Sequence, residues 1–162
     1  MRLLELCCGE NQSWSIAGRQ LGFECVTLDW NENCGADLVM DVRDFKCEGY
    51  YDVVCASPDC RELSHARSSP GNMEFADSVA KACIHIILHY VSLGAVGILE
   101  NPLCALEKRP YMQEYEDRKH VIDYCKYSGE KPANYELVVA SLQSLKDWLP
   151  YRKATNMDVW RQ

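Results

Sequence analysis

In "VVCASPDCRELSHARSS", Val53 to Ser69, a thiol stands in a loop straight after an apolar run of strand length. A thiolate is a strong nucleophile once a neighbouring cation or a helix N-terminus lowers its pKa. Arg61 beside Cys60 supplies such a cation, and Asp59 on the other side opposes it, because a nearby carboxylate disfavours the thiolate. Read locally, Cys60 is either a nucleophile or one more thiol in a chain with ten cysteines. A second set of residues offers ligand binding. Asp29 closes an apolar run and is placed to accept hydrogen bonds from ribose hydroxyls, while Trp30 next to it presents a flat apolar surface to a purine. Asp41 with Val42 repeats that pairing of a polar handle and an apolar contact, although an acidic residue at a strand end also serves simply to cap the next segment.

These residues need elements to hold them. "RLLELCC" has strand length, "SWSIAGRQLG" spaces Trp14, Ala17 and Leu21 on one helical face with Gly22 as a stop, and "FECVTLDW" is strand-like again. Strand, helix, strand in thirty residues is the start of a βαβ unit and predicts a parallel sheet. "ADLVMDV" and "YDVVCAS" continue it as third and fourth strands. A long helix follows over "NMEFADSVAKACIHIILHYVSLG", capped by Asn72, with Phe75, Val79, Ala82, Cys83, Ile86 and Tyr90 as its apolar stripe. "AVGILENP" is the next strand, "ALEKRPYMQEYE" a helix broken around Pro110, and "KHVIDYCKY" with "YELVVASL" an antiparallel edge pair. In open α/β sheets ligands bind outside the carboxyl ends of the strands, so Asp29, Asp41 and Ser57 are expected on one rim with "CCGENQSW", the loop after the first strand. In that loop Gly9 alone supplies the flexibility that lets backbone amides approach a nucleotide-type ligand. No GxGxxG is present, which disfavours a nicotinamide or flavin.

The 162 residues read as one domain spanning 1–162, without repeats, linkers, a signal-peptide layout or an apolar run of membrane-span length, so a soluble, cytoplasmic protein with no membrane partner is expected. The scattered cysteines, several in apolar strands, read as reduced thiols in the core. No CxxC occurs, and His85 and His89, one helical turn apart, have no evident third ligand, so no metal site is expected. His65 sits where it would reach a phosphate, and His120 begins a strand. The net charge of −7 argues against a general polyanion binder. All of it lies in residues 1–59, with 11 acidic and 4 basic side chains, whereas residues 60–162 carry 13 of each. A nucleic acid is therefore expected over the second half.

"SPDCRELS" together with "LENP" one strand later resembles the DNA cytosine-C5 methyltransferases, whose signatures there are Pro-Pro-Cys-x-x-Phe-Ser and Glu-Asn. "LELCCGENQSWS", "ILENP" and "YCKYSGEKPA" extend the likeness to short phage and viral members, from Leu3 to about Leu142. The resemblance implies an α/β, three-layer, Rossmann-like methyltransferase sheet, mostly parallel with an antiparallel edge hairpin, and S-adenosylmethionine as cofactor. It implies cofactor contacts from Cys8, Gly9, Glu10, Asn11, Ser13, Trp14, Asp29, Trp30, Asp41, Val42 and Ser57. Cys60 would add to C6 of a cytosine in DNA, Glu100 would hold the base through N3 and the exocyclic amine, and Asn101 completes the motif. Pro58, Ser64, Arg67, Pro102 and Lys131 would line the substrate, whose base must flip out of a duplex, and "RELSHARSSPGN" has the composition of a lid.

Four departures accompany it. Asp59 replaces the second proline, "ENQ" replaces the glycine expected after Gly9, and neither a Gln-Arg-Arg element nor a separate target-recognition domain is found. A protein partner or a homodimer is accordingly expected to supply target recognition. The same departures motivate a rival expectation, a catalytically degenerate relative with a binding or regulatory role. Methylation of RNA or of an amino group on the same fold ranks lower, because Ser-Pro-Asp-Cys matches the Asp-Pro-Pro-Tyr type of motif poorly.

Overall fold

A computed structural model describes residues 1–62, 71–103, 106–123 and 135–139. Strands β1 (Arg2–Leu6), β2 (Glu24–Asp29), β3 (Leu38–Val39), β4 (Val53–Ala56), β5 (Val96–Pro102), β6 (Lys119–Asp123) and β7 (Tyr135–Val139) form one sheet in the order β3-β2-β1-β4-β5-β7-β6. The first five pair in parallel, and β7 runs antiparallel between β5 and β6, so the expected antiparallel edge pair is present. Because the chain moves outward from β1 to β2 and β3 on one side, then to β4 and β5 on the other, the crevice of the sheet lies at the carboxyl end of β1.

Alternation along the strands builds three layers. Leu4, Leu6, Val54, Ala56 and Leu99 pack on one face with α2 (Met73–Ser92), which contributes Ala80, Cys83, Ile86, Ile87 and Tyr90. Leu3, Val53 and Cys55 point to the other face, against Trp14 of α1 (Ser13–Gln20) and Phe23, Cys25 and Ile98. Asn72 caps α2 as expected, its side-chain oxygen accepting the Phe75 N–H at 3.0 Å. The buried stripe of that helix is rotated from the expected one: Ala76 and Ala80 replace Phe75 and Val79 at its centre, and Phe75 is 43 % exposed with the Arg43 guanidinium 4.9 Å over its ring. Small residues win this face because the helix lies close to the sheet. A Cβ built on Gly97 of β5 would lie 2.3 Å from a methyl of Ile87 and 2.8 Å from one of Val91.

Two further elements depart from expectation. The third strand shrinks to two residues, since Asp41 turns the chain into a 3₁₀ turn at Val42–Asp44 by accepting the Arg43 N–H. The segment around Pro110 forms 3₁₀ turns at Leu106–Lys108 and Pro110–Arg118, joined at Arg109, whose guanidinium pairs with Asp77 of α2. Among the described residues no helix is long and apolar enough to cross a membrane.

Candidate active site

The rim at the carboxyl ends of β1, β2, β4 and β5 is held together by backbone hydrogen bonds and side-chain caps, each traceable to a residue of the sequence. After β1 the chain passes through Cys7, a non-glycine residue at φ 54, and Gly9 at φ 56 to Gln12 at φ 43. Three left-handed residues within six fold the chain back on itself before α1 begins. Left-handed backbone is costly for residues with a Cβ, so Cys7 and Gln12 must be fixed by their surroundings. Gln12 is fixed by its amide, which donates to the carbonyls of Cys34 and Gly35 at 3.0 and 3.1 Å. It stands immediately before α1 but gives no side-chain cap; Glu5 of β1 does so instead, its carboxylate accepting the N–H groups of Trp14 at 3.2 Å and Ser15 at 2.8 Å. An anion at a helix start is favoured by the helix dipole, and burial still pushes the Glu5 carboxyl above the usual carboxylate range. Glu5 was not among the expected site residues. The signal for it is a charged residue between Leu4 and Leu6 in an otherwise apolar strand.

Asp29 ends β2 as expected, and its carboxylate reaches across to the loop after β1. Oδ2 accepts the Gly9 N–H at 2.9 Å and Oδ1 the Asn31 N–H at 2.8 Å. It is buried, whereas Trp30 beside it is 66 % exposed, so the indole face is the open surface at this end of the crevice. Glu10, Asn11 and Ser13 are exposed on the neighbouring loop, and open space lies where a Cβ on Gly9 would point. Asp41 and Val42 are placed differently from expectation. The Asp41 carboxylate is taken up by Arg43 through its backbone N–H, Nε and Nη2, which holds its pKa below the usual range, and Val42 is buried in the main core. Trp14 Nε1 donates to the Ser57 hydroxyl at 3.3 Å, and the Ser57 N–H donates to the Leu6 carbonyl at 3.1 Å, so the first loop and the end of β4 form one wall. Cys8 belongs to the same wall from below, where it is buried, and burial with the Cys34 thiol and the Asp29 carboxylate beside it pushes its thiol up to about 12.

The thiol loop is tied to the following strand. In the parallel register Ala56 of β4 faces Leu99 of β5, so Glu100 and Asn101 extend just beyond the level at which the chain leaves β4 through Ser57 and Pro58. Asn101 is 1 % exposed, and its Nδ2 donates to the Pro58 carbonyl at 2.7 Å. Its Oδ1 finds no donor among the described residues. Alternation puts Glu100 on the opposite face of β5 from Leu99 and Asn101; Glu100, Pro102 and Cys60 are each half-buried. The opposing charges next to Cys60 satisfy each other: Asp59 accepts from the Arg61 backbone N–H at 2.9 Å and from Nε at 2.7 Å, with Nη2 2.5 Å away. Glu62 then accepts the Asn72 N–H, and a Cβ on Gly71 would lie 2.3 Å from the Glu62 carbonyl oxygen, so residues 62 and 71 require close backbone approach. Ser64, His65, Arg67 and Lys131, and most of the expected lid, lie outside the described residues.

No family model matches this chain, and no curated protein matches it. Solved structures do. The Dnmt2 methyltransferase of S. pombe superposes with a TM-score of 0.63 at 12% identity, covering 100% of this chain and 58% of its own. The Entamoeba histolytica methyltransferase EhMeth gives 0.60 at 12% identity, covering 90% of this chain and 54% of its own. A SAM dependent methyltransferase from Archaeoglobus fulgidus gives 0.53 at 14% identity, covering 86% of each chain. This chain thus spans little more than half the length of the first two. The fold is the α/β Rossmann-like methyltransferase fold, as the sequence led us to expect.

Proposed function

We propose that this chain transfers a methyl group from S-adenosylmethionine to C5 of cytosine in DNA, with Cys60 as the covalent nucleophile. The observation that carries this reading is the 2.7 Å bond from Asn101 to the Pro58 carbonyl, which binds the thiol loop to the acid-bearing strand end at adjacent strand termini. The fold it shares with the S. pombe and Entamoeba methyltransferases supports methyl transfer as the reaction class. The crevice fits the cofactor at two points: the exposed Trp30 indole suits an adenine, and the open space over Gly9 admits a chain of atoms close to the backbone.

S-adenosylmethionine, when bound, supplies an electrophilic methyl carbon. The protein's own residues prepare the base. The Cys60 sulfur forms a bond to C6 of cytosine, and the electron pair of the C5–C6 double bond moves into the ring, where Glu100 holds N3 and the exocyclic amine and stabilises the charge that develops. After methylation the C5 proton leaves to solvent, the C5–H electron pair re-forms the C5–C6 double bond, and the C6–S bond breaks with its pair returning to the Cys60 sulfur as thiolate. Pro58, Ser64, Arg67, Pro102 and Lys131 are assigned to the substrate side, and a partner or second copy to target recognition.

Mass analysis of nucleosides from DNA incubated with the protein and cofactor tests the assignment, with calorimetry of cofactor binding alongside. Cys60→Ser is expected to lose methyl transfer while binding S-adenosylmethionine like the parent chain; unchanged transfer removes Cys60 as nucleophile. A second reading, a binding protein that no longer catalyses, is favoured by one observation. The Asp41 carboxylate, assigned to the cofactor, is engaged by Arg43 on three of its donors. A folded parent chain with no calorimetric signal for the cofactor selects that reading.

A further inference from the structure

Two thiols and a carboxylate converge beneath the rim. Sγ of Cys8, a carboxylate oxygen of Asp29 and Sγ of Cys34 all lie within 4.8 Å of one another. The three residues are 7 %, 6 % and 7 % exposed. Around a tetrahedral zinc, with metal–sulfur bonds of about 2.3 Å and metal–oxygen bonds of about 2.1 Å, ligand atoms sit roughly 3.6–3.8 Å apart. The observed limit of 4.8 Å is wider than that spacing by about 1 Å.

The surrounding bonds fix the donors from three segments. The Cys8 N–H donates to the Leu28 carbonyl at 3.1 Å, and the Cys34 N–H donates to the Asn31 carbonyl at 3.2 Å. Asn31 caps its own turn by accepting the Asn33 N–H at 3.0 Å, and Gln12 clamps the carbonyls of Cys34 and Gly35. The Asp29 carboxylate is hydrogen-bonded to Gly9 and Asn31, as ligating carboxylates are.

Charge supplies a second, independent reason. A buried carboxylate is ordinarily paired with a cation. Among the described residues no lysine, arginine or histidine forms an ion pair with Asp29.

We propose that Cys8, Asp29 and Cys34 bind one thiophilic divalent cation, zinc in the cell, with a fourth position left for water. Binding replaces the two thiol protons, which leave to solvent. The ion bridges the loop after β1 to the turn after β2 and so braces the rim, whether or not the chain transfers methyl groups.

Cobalt(II) titration of the reduced, metal-free full chain, without cofactor, tests the site. One equivalent is expected to produce thiolate-to-cobalt charge-transfer absorption, release two protons and be displaced by zinc. Cys8→Ser and Cys34→Ser are each expected to weaken cobalt binding at least a hundredfold, whereas Cys60→Ser keeps it. Asp29→Asn, which retains both thiols, is expected to weaken it at least tenfold, with folding of every variant checked by circular dichroism. Absence of the charge-transfer band in the folded parent, or its survival in both serine variants, overturns the proposal. So does a Cys8–Cys34 disulfide that persists in reducing buffer, seen as a loss of two mass units.

Discussion

Asn101 shows how much of the site rests on single side chains. Its amide is the donor to the Pro58 carbonyl, and both residues are buried. Asn101→Ala strands that carbonyl, and a buried polar group left without its partner costs about 1–3 kcal/mol. Urea unfolding is expected to report a loss of that size, with methyl transfer falling further because the loop bearing Cys60 loses its anchor; an equally stable variant places the anchor elsewhere. At this scale the sequence was legible where a strand end carried the residue: Asp29 and Ser57 reach the rim, while the bond from Asn101 to the Pro58 carbonyl is a contact the motifs did not announce. It was not legible where tertiary partners decide. Nothing in "DVRD" says that Arg43 will occupy the Asp41 carboxylate, and no spacing rule joins Cys8 to Cys34 across a strand end and a turn.

Helix–sheet contacts set the next scale, and two glycines sort themselves by what lies opposite. Gly97 faces methyl groups of Ile87 and Val91, whose β-branched side chains are stiff at χ1. Gly97→Ala is expected to overpack the α2 face and destabilise the protein by about 1–3 kcal/mol. A Cβ on Gly18 of α1 would lie 2.9 Å from Cys25 Sγ and 3.2 Å from Leu3 Cδ1. There the strain is offset by the roughly 1 kcal/mol that alanine adds to a helix interior over glycine, so Gly18→Ala is expected to be close to neutral. Thermal unfolding of the pair checks the contrast, and equal effects would show that the packing distance does not govern it. The strand and helix order was readable from apolar runs and the Asn72 cap, since those are local signals. The rotation of the α2 stripe was not, because Phe75 fits the helical period as well as Ala76 does and only the closeness of the sheet at Gly97 chooses between them.

For the whole molecule, charge and pH act together. The net charge of −7 resides in residues 1–59, where two carboxylates are held below their ordinary range by specific donors, whereas that of Glu5 is raised by burial. Asp37 is lowered by the Thr27 backbone N–H and hydroxyl, at 2.9 and 2.8 Å, and Asp41 by Arg43. A carboxyl whose pKa is lower folded than unfolded stabilises above its unfolded value, near 3.8, and that contribution disappears as pH falls through the folded value. Stability measured by urea between pH 6 and about 3 is therefore expected to fall, and Asp37→Asn combined with Asp41→Asn to flatten the acid limb; an unchanged limb assigns acid sensitivity to other groups. Strand succession and charge asymmetry were readable from the apolar runs and the composition, whereas the order of the strands across the sheet, with β7 between β5 and β6, is set by tertiary pairing. The pairing of Asn101 with Pro58 carries one more implication, which concerns assembly. The two lie 43 residues apart, with α2 between them, and meet only once β5 lies beside β4. A contact of that sequence separation carries a loop-closure cost that local contacts do not, so a chain halted before β5 would hold the thiol loop without its anchor.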